Sequence, residues 1–131
     1  MDLKSGYPFW AIKNGLMHPH ASLRADLRCD VAVIGGGITG AIIADALADA
    51  GFDVAVFEQR DIGWGSSAAS TALLQYEIDT HLTDLAREFG EGPARMAYRA
   101  CEGAIGQLRG LVHGVRDVDF GMSDSLYFAS H

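Results

Sequence analysis

An α/β fold is predicted for this chain, and three features of residues 30–58, DVAVIGGGITGAIIADALADAGFDVAVFE, predict it. Gly35-x-Gly37-x-x-Gly40 sits between a short apolar run and a helical pattern. A second apolar run follows that helix, and it ends on Glu58. Strand, glycine turn, helix, strand and terminal carboxylate, in that order, are the layout of a βαβ unit.

Residues 1–28 read as an irregular arm, punctuated by Pro8, Gly15 and Pro19 and anchored by the apolar Tyr7, Phe9, Trp10 and Leu16. His18 and His20 flank Pro19 without a neighbouring cysteine or carboxylate, so no metal site is expected there. Residues 29–34 are short, β-branched and apolar without alternation, which reads as a buried strand of a parallel sheet. Residues 38–50 read as a helix whose Ala41, Ala44 and Ala48 form a small-residue face for close seating on the sheet. Gly51 is its natural left-handed terminator. Residues 53–58 form the second strand, with Val54, Val56 and Phe57 as its apolar content.

The following loop, DIGWGSSAASTALLQYEID, leads into an expected helix capped by the hydroxyl of Ser66 or Ser67. Residues 80–89 read as a short helix with Leu82, Leu85, Ala86 and Phe89 on one stripe. Gly92-Pro93 then restarts the chain, with Pro93 suited to the first helical position. Residues 93–112 carry the strongest helical pattern, through Ala97, Ala100, Ala104, Leu108 and Leu111, and Gly114 ends it. Residues 118–129 alternate (Val118, Phe120, Met122, then Leu126, Phe128) and read as two short strands.

Composition narrows the function. The chain has 131 residues, of which 49% are hydrophobic, so a core is available and a disordered class is excluded. A formal net charge of −7 argues against nucleic acid and acidic membrane as partners. Cys29 and Cys101 are far apart without C-x-x-C spacing, which predicts neither a disulfide framework nor zinc and points to a reducing compartment. Neither a secretory signal pattern nor a membrane-spanning run is seen, so a cytoplasmic location is expected.

The glycines have separate physical tasks. Gly35 permits the tight strand-to-helix turn, Gly37 lets backbone approach a pyrophosphate closely, and Gly40 lets the helix pack against the strand. The N–H groups of the first helical turn, which includes Ile38 and Thr39, and the positive end of the helix attract phosphate. A carboxylate at Glu58 accepts hydrogen bonds from both ribose hydroxyls and repels a 2′-phosphate, so a dinucleotide other than NADP is expected on a Rossmann-like unit. These residues by themselves leave FAD and NAD both open.

From Asp30 onward the chain resembles the FAD-dependent amine and amino-acid oxidoreductases of the D-amino-acid oxidase/glycine oxidase type. Two stretches carry the resemblance: the βαβ segment above, and GWGSSAASTALLQ, residues 63–75. In that family a segment of the second kind opens a helix whose N-terminus faces the pyrophosphate and ribityl chain, and Gly65, Ser66, Ser67, Ala69 and Ser70 fall on those positions. The resemblance further implies that Gln59 and Arg60 lie by the adenosine and that Thr71 and Ala72 approach the flavin ring. Relatives often have glycine where this chain has Ala72 or Leu73. Since residues 63–74 contain neither histidine nor cysteine, non-covalent FAD is implied.

The resemblance implies oxidation of an amine or amino acid, hydride passing from the substrate carbon next to nitrogen to the flavin. It covers only the opening part of such an enzyme. The expected organisation is an arm (1–28), an incomplete FAD-binding Rossmann-like domain (29–114) and the start of a truncated substrate-domain sheet (115–131), inactive by itself. Two alternatives are a NAD-dependent dehydrogenase and a stand-alone dinucleotide-binding module. No catalytic constellation is recognised: His81, His113 and His131 are scattered, Tyr76, Tyr98 and Tyr127 read as packing residues, and Trp64 as loop packing, with cofactor cover as the alternative. Glu77, Asp79 and Asp84 read as solvated or helix-terminal carboxylates.

Overall fold

The computed structural model describes residues 6–15, 20–126 and 128. Leu16, His18, Pro19, Tyr127, Ala129 and His131 lie outside the described residues. The chain folds as two compact units, Met1–Thr71 and Ala72–His131.

The first unit contains α1 (Phe9–Asn14), β1 (Val31–Ile34), α2 (Ile38–Asp49) and β2 (Val54–Phe57). Residues 9–14 are therefore helical where an irregular arm is expected. Pro8 supplies the extended residue before the helix, and both Ala11 N–H and Ile12 N–H donate to its carbonyl. Gly15 then stops the helix at φ 72°.

β1 and β2 are parallel neighbours, with Val31 opposite Val54 and Ile34 opposite Phe57. The entry to this ladder is clamped at both strands: Asp30 N–H donates to the Asp53 carbonyl, and Asp53 N–H donates to the Asp30 carboxylate, each at 2.9 Å. The strands are shorter than residues 29–34 and 53–58: Asp30 and Asp53 form the entry clamp, and Glu58 turns its carboxylate to Gly36 at the exit. Burial of β1 alternates, with Val31 and Val33 half-buried and Ile34 81% exposed. The expectation of a buried strand without alternation fails for a physical reason: among the described elements, α2 alone packs on the sheet, so one face is covered.

α2 turns Gly40, Ala44 and Leu47 inward, while Ala41 and Ala48 are exposed. The small-residue face is thus rotated from Ala41-Ala44-Ala48. Gly40 sets the phase, because it rests directly over the Gly35 carbonyl, and 3.6-residue periodicity then selects Ala44 and Leu47. The helix ends one residue early, at Asp49, and Gly51 takes the left-handed conformation at φ 89°.

The second unit is a helical hairpin, α3 (Leu82–Phe89) and α4 (Glu91–Val112). A single residue, Gly90 at φ 88°, ends the first helix and begins the second. Its N–H donates to the Ala86 carbonyl, and its own carbonyl accepts from Ala94 N–H. Pro93 consequently stands third in α4, not first; the position tolerates it because the N–H groups of the first turn have no acceptor within the helix.

Leu85 and Ala86 are the half-buried residues of α3; Leu82 and Phe89 are exposed. In α4 the inward row is Ala94, Ala97, Tyr98, Cys101, Ile105, Leu108 and Val112, whereas Ala100, Ala104 and Leu111 face outward. Ala94, at 0% exposure, fixes this phase at the crossing, and the Tyr98 hydroxyl secures it by donating to the Thr80 carbonyl at 2.9 Å. α4 closes at Val112 with His113 as its cap, before Gly114. The two strands expected across residues 118–129 are absent among the described residues, and the alternating side chains have no neighbouring strand to pair with. The tail is tied instead by a side chain: the Ser125 hydroxyl donates to Glu77 at 2.9 Å. None of the described helices is long and apolar enough to cross a membrane.

Candidate functional site

The loop leaving β1 is built by three consecutive glycines. Gly35 takes φ 106°, a left-handed conformation that disfavours any side chain, and its N–H extends the ladder to the Phe57 carbonyl at 2.7 Å. Gly36 is buried, with both polar groups engaged. Its N–H donates to Glu58 Oε2 and its carbonyl accepts from Gly63 N–H, each at 2.8 Å. The place a Cβ would occupy on Gly36 is filled by Ile62 Cδ1. Gly36 holds an unconstrained position of G-x-G-x-x-G, and its signal in the sequence is the unbroken row of three glycines of which it is the middle one.

Gly37 precedes α2 in extended conformation, with Ser67 Oγ 3.2 Å from where its Cβ would stand. Ser67 accepts the Ile38 N–H at 2.9 Å. First-turn N–H groups have no intrahelical acceptor, so a hydroxyl from a distant loop satisfies one of them. Thr39 and Gly40, of the same turn, line the pocket described below. A Cβ on Gly40 would collide with the carbonyl oxygen of Gly35. The contact between helix and strand that the motif implies is therefore backbone against backbone.

Glu58 follows the last residue of β2. Ile34 pairs with Phe57 and the Gly35 N–H still bonds the Phe57 carbonyl, so Glu58, the next residue, brings its carboxylate beside Gly36. Its other oxygen accepts Arg60 N–H at 2.9 Å. These bonds to Gly36 and then Arg60 hold the Glu58 carboxyl below the usual carboxylate range. An ionised oxygen has lone pairs to spare after one such bond, so acceptor capacity for a ligand hydroxyl is retained. Gln59 is exposed, and the Arg60 guanidinium lies 3.7 Å from the position of a Cβ on Gly65.

The second segment corrects the sequence reading. Residues 62–69 run as successive turns, not as the start of a helix. Gly63 and Gly65 take φ 77° and 75°, which breaks helical continuity. Ala69 N–H donates to the Ser66 carbonyl and Ser70 N–H to that of Ser67, closing isolated turns. Ser67 caps α2 in place of a helix of its own, and Ala68 is buried at 7% exposure beneath these turns. Ala72 takes φ 57°, a left-handed conformation at the position where relatives are expected to carry glycine.

Between the two loops lies a pocket of about 400 Å³. Of the residues singled out from sequence, Gly35, Gly37, Ile38, Thr39, Gly40, Ser66 and Ser67 line it. Glu58, Gln59, Arg60, Gly65, Ala69 and Ser70 do not. Val33, Ile34, Ile43 and Trp64 complete the wall. Trp64, read from sequence as loop packing with cofactor cover as the alternative, is a pocket residue; Val33 and Ile34 read as buried strand because hydrophobic pattern does not distinguish a core from a pocket wall, and Ile43 carries no separate signal.

Comparison with known proteins bears on what this pocket serves. The family of FAD dependent oxidoreductases (DAO) matches residues 30–131. A Bacillus subtilis protein, YhfW, named for a Rieske 2Fe-2S iron–sulfur centre, is 37% identical over 91 residues, 70% of this chain and 18% of that protein. The gamma-glutamylputrescine oxidoreductase of Escherichia coli is 35% identical over 88 residues, 67% of this chain and 21% of the enzyme. The glycine oxidase of Bacillus licheniformis is 33% identical over 84 residues, 64% of this chain and 22% of the enzyme. The chain therefore spans well under a third of the length of these curated relatives. No solved structure matches it. With both glycine-rich loops inside the matched region, the chain belongs to the family of FAD dependent oxidoreductases.

Proposed function

We propose that this chain is the FAD-binding portion of a flavin-dependent oxidoreductase that oxidises an amine or amino acid. The observation that carries the reading is the junction at Gly36 and Ile38, where Glu58 and Ser67 from two separate segments converge on one phosphate-type turn. The residues fit the group: a Cβ at Gly40 would collide with backbone, one at Gly37 would crowd Ser67, and the start of α2 opens on a pocket.

In this reading residues 29–114 are a Rossmann-like FAD-binding portion, preceded by the arm 1–28, and residues 115–131 lead toward a substrate domain. Gly35, Gly37 and Gly40 shape the turn; the Ile38 N–H is taken by Ser67, and the Thr39 N–H and the Ser67 hydroxyl face the pyrophosphate. Glu58 accepts from the ribose hydroxyls, with Gln59 and Arg60 beside the adenosine. Ser66 and Ser67 hydrogen-bond phosphate, while Gly65, Ala69 and Ser70 hold the loop's path. FAD is held non-covalently, as no histidine or cysteine stands in residues 63–74. Bound FAD would supply a two-electron acceptor for hydride from the substrate carbon next to nitrogen. Two relatives named above, a glycine oxidase and a gamma-glutamylputrescine oxidoreductase, support the amine and amino-acid class. The expected location is the cytoplasm.

Calorimetric titration of the chain with FAD and with NAD side by side tests this reading. Binding of FAD and none of NAD is expected. Binding of NAD with none of FAD would overturn it.

A further inference from the structure

We infer that residues 7–14, α1 with the two residues before it, are a strap that holds the loop of residues 62–70 in the conformation framing the pocket, and that Trp10 and Tyr7 are its positioning residues. The Trp10 indole N–H donates to the Ser70 carbonyl at 2.8 Å, across 60 positions of sequence. Near the other end of the same loop, the Tyr7 ring meets the Trp64 ring edge-on, with centroids 6.1 Å apart. Between these two fastenings lie Ser66 and Ser67, and Trp64 is itself part of the pocket wall. The strap thus touches both ends of the segment whose middle reaches α2.

The loop needs such support. It is a run of turns with left-handed glycines at 63 and 65, and it has no continuous helical ladder to hold its shape. The Trp10 indole is oriented from two further sides. The Phe9 ring packs edge-on at 5.0 Å, and Lys13 Nζ stands 5.4 Å over the indole face. Trp10 and Lys13 share a face of α1 because they are three apart on a helix. The match to the oxidoreductase family begins at residue 30, so the strap stands before the matched region and adds to it.

The consequence for the pocket rests on the flavin reading above. A loop held in place before the ligand arrives spends less binding free energy on ordering, so loosening the strap should weaken cofactor binding. Two variants of the full 131-residue chain, Trp10→Phe and Tyr7→Leu, test this. Trp10→Phe keeps the aromatic ring and removes the donor. Backbone amide exchange, measured without any ligand, should quicken across residues 62–70 in both variants and stay unchanged in α3 and α4. FAD affinity, read by fluorescence titration, should fall about three- to tenfold in Trp10→Phe, the range of one net hydrogen bond.

Unchanged exchange across residues 62–70 overturns the strap. Faster exchange with unaltered FAD affinity overturns its role in positioning the cofactor loop. If the unaltered chain binds no FAD, the flavin reading fails, and the exchange experiment alone decides whether α1 holds the loop.

Discussion

The hydroxyl of Ser67 closes the first turn of α2 by accepting the N–H of Ile38, although the two residues are 29 positions apart. A helix cap ordinarily comes from the residue just before the helix. That place is held by Gly37, which has no side chain to offer and would crowd Ser67 if it had one. Capping is therefore supplied from the second loop, and the stability of α2 becomes coupled to the path of residues 62–69.

Ser67→Ala should accordingly destabilise the first unit by about 1 kcal/mol, the usual value of a lost cap. Ser67→Thr keeps the hydroxyl and should retain most of the stability. Thermal denaturation followed by circular dichroism compares the two. Equal loss in both variants would show that the hydroxyl does not serve α2.

Added methyl groups should separate the glycines by what stands in the way. At Gly40 the obstacle is the Gly35 backbone carbonyl, which cannot rotate aside, so Gly40→Ala should cost more than the ~1–3 kcal/mol usual for overpacking. At Gly36 the obstacle is the tip of the Ile62 side chain, which has other rotamers, so Gly36→Ala should cost less than Gly40→Ala. Gly106, within α4, has open space around it, and Gly106→Ala should stabilise its helix by about 0.5–1 kcal/mol. Denaturant titration of the three variants should return this order.

Acid should undo the Glu58 junction. The bonds from Gly36 and Arg60 lower the folded-state value of this carboxyl, so the unfolded chain takes up the proton first. The stabilisation is complete above the unfolded glutamate value of about 4.3 and is lost as pH falls through the lower, folded value. Glu77 is also lowered, chiefly by its own backbone N–H and with help from the Ser125 hydroxyl, and titrates in the same direction in the other unit. Glu58→Gln should leave the first unit less stable at neutral pH and flatten its loss of stability below about pH 4.3. Exchange of amides in β1 and β2 across that range isolates this unit from the Glu77 contribution.

Ala94 is 0% exposed where α3 crosses α4. Ala94→Leu should force the hairpin apart and cost about 1–3 kcal/mol. Ala100→Leu, on the exposed side of the same helix, should stay within about 0.5 kcal/mol of the parent. Equal effects would mean that the hairpin is not packed in the phase described.

What was legible in the sequence follows from which forces are local. The order β1, α2, β2 and the exit at Glu58 were readable because the glycine motif and apolar runs encode turn chemistry and burial within a few residues. The Gly90 hinge was misplaced by two residues, since Gly92-Pro93 carries the stronger local signal and tolerates the third helical position equally well. The faces of α2 and α4 were rotated because alanine is small enough to sit on either side; contacts at Gly40 and Ala94 chose the phase. The loop at Ser66 and Ser67 read as a helix start because a cap serine looks the same whether it serves its own helix or another. The strands in the tail were suggested by alternation, which needs a partner that sequence periodicity does not supply.

The register of β1 against β2 has a further consequence. Pairing Ile34 with Phe57 is what delivers Glu58 to Gly36, so strand alignment and the placing of this carboxylate are one event. A slip of one residue in β2 would present Gln59 or Phe57 at that spot, replacing an anion by an amide or a ring. A misfolded molecule of this kind would still look like an α/β protein, yet it would lack the carboxylate that holds the Gly36 N–H. Fidelity in strand alignment is, at this junction, what decides where a negative charge stands.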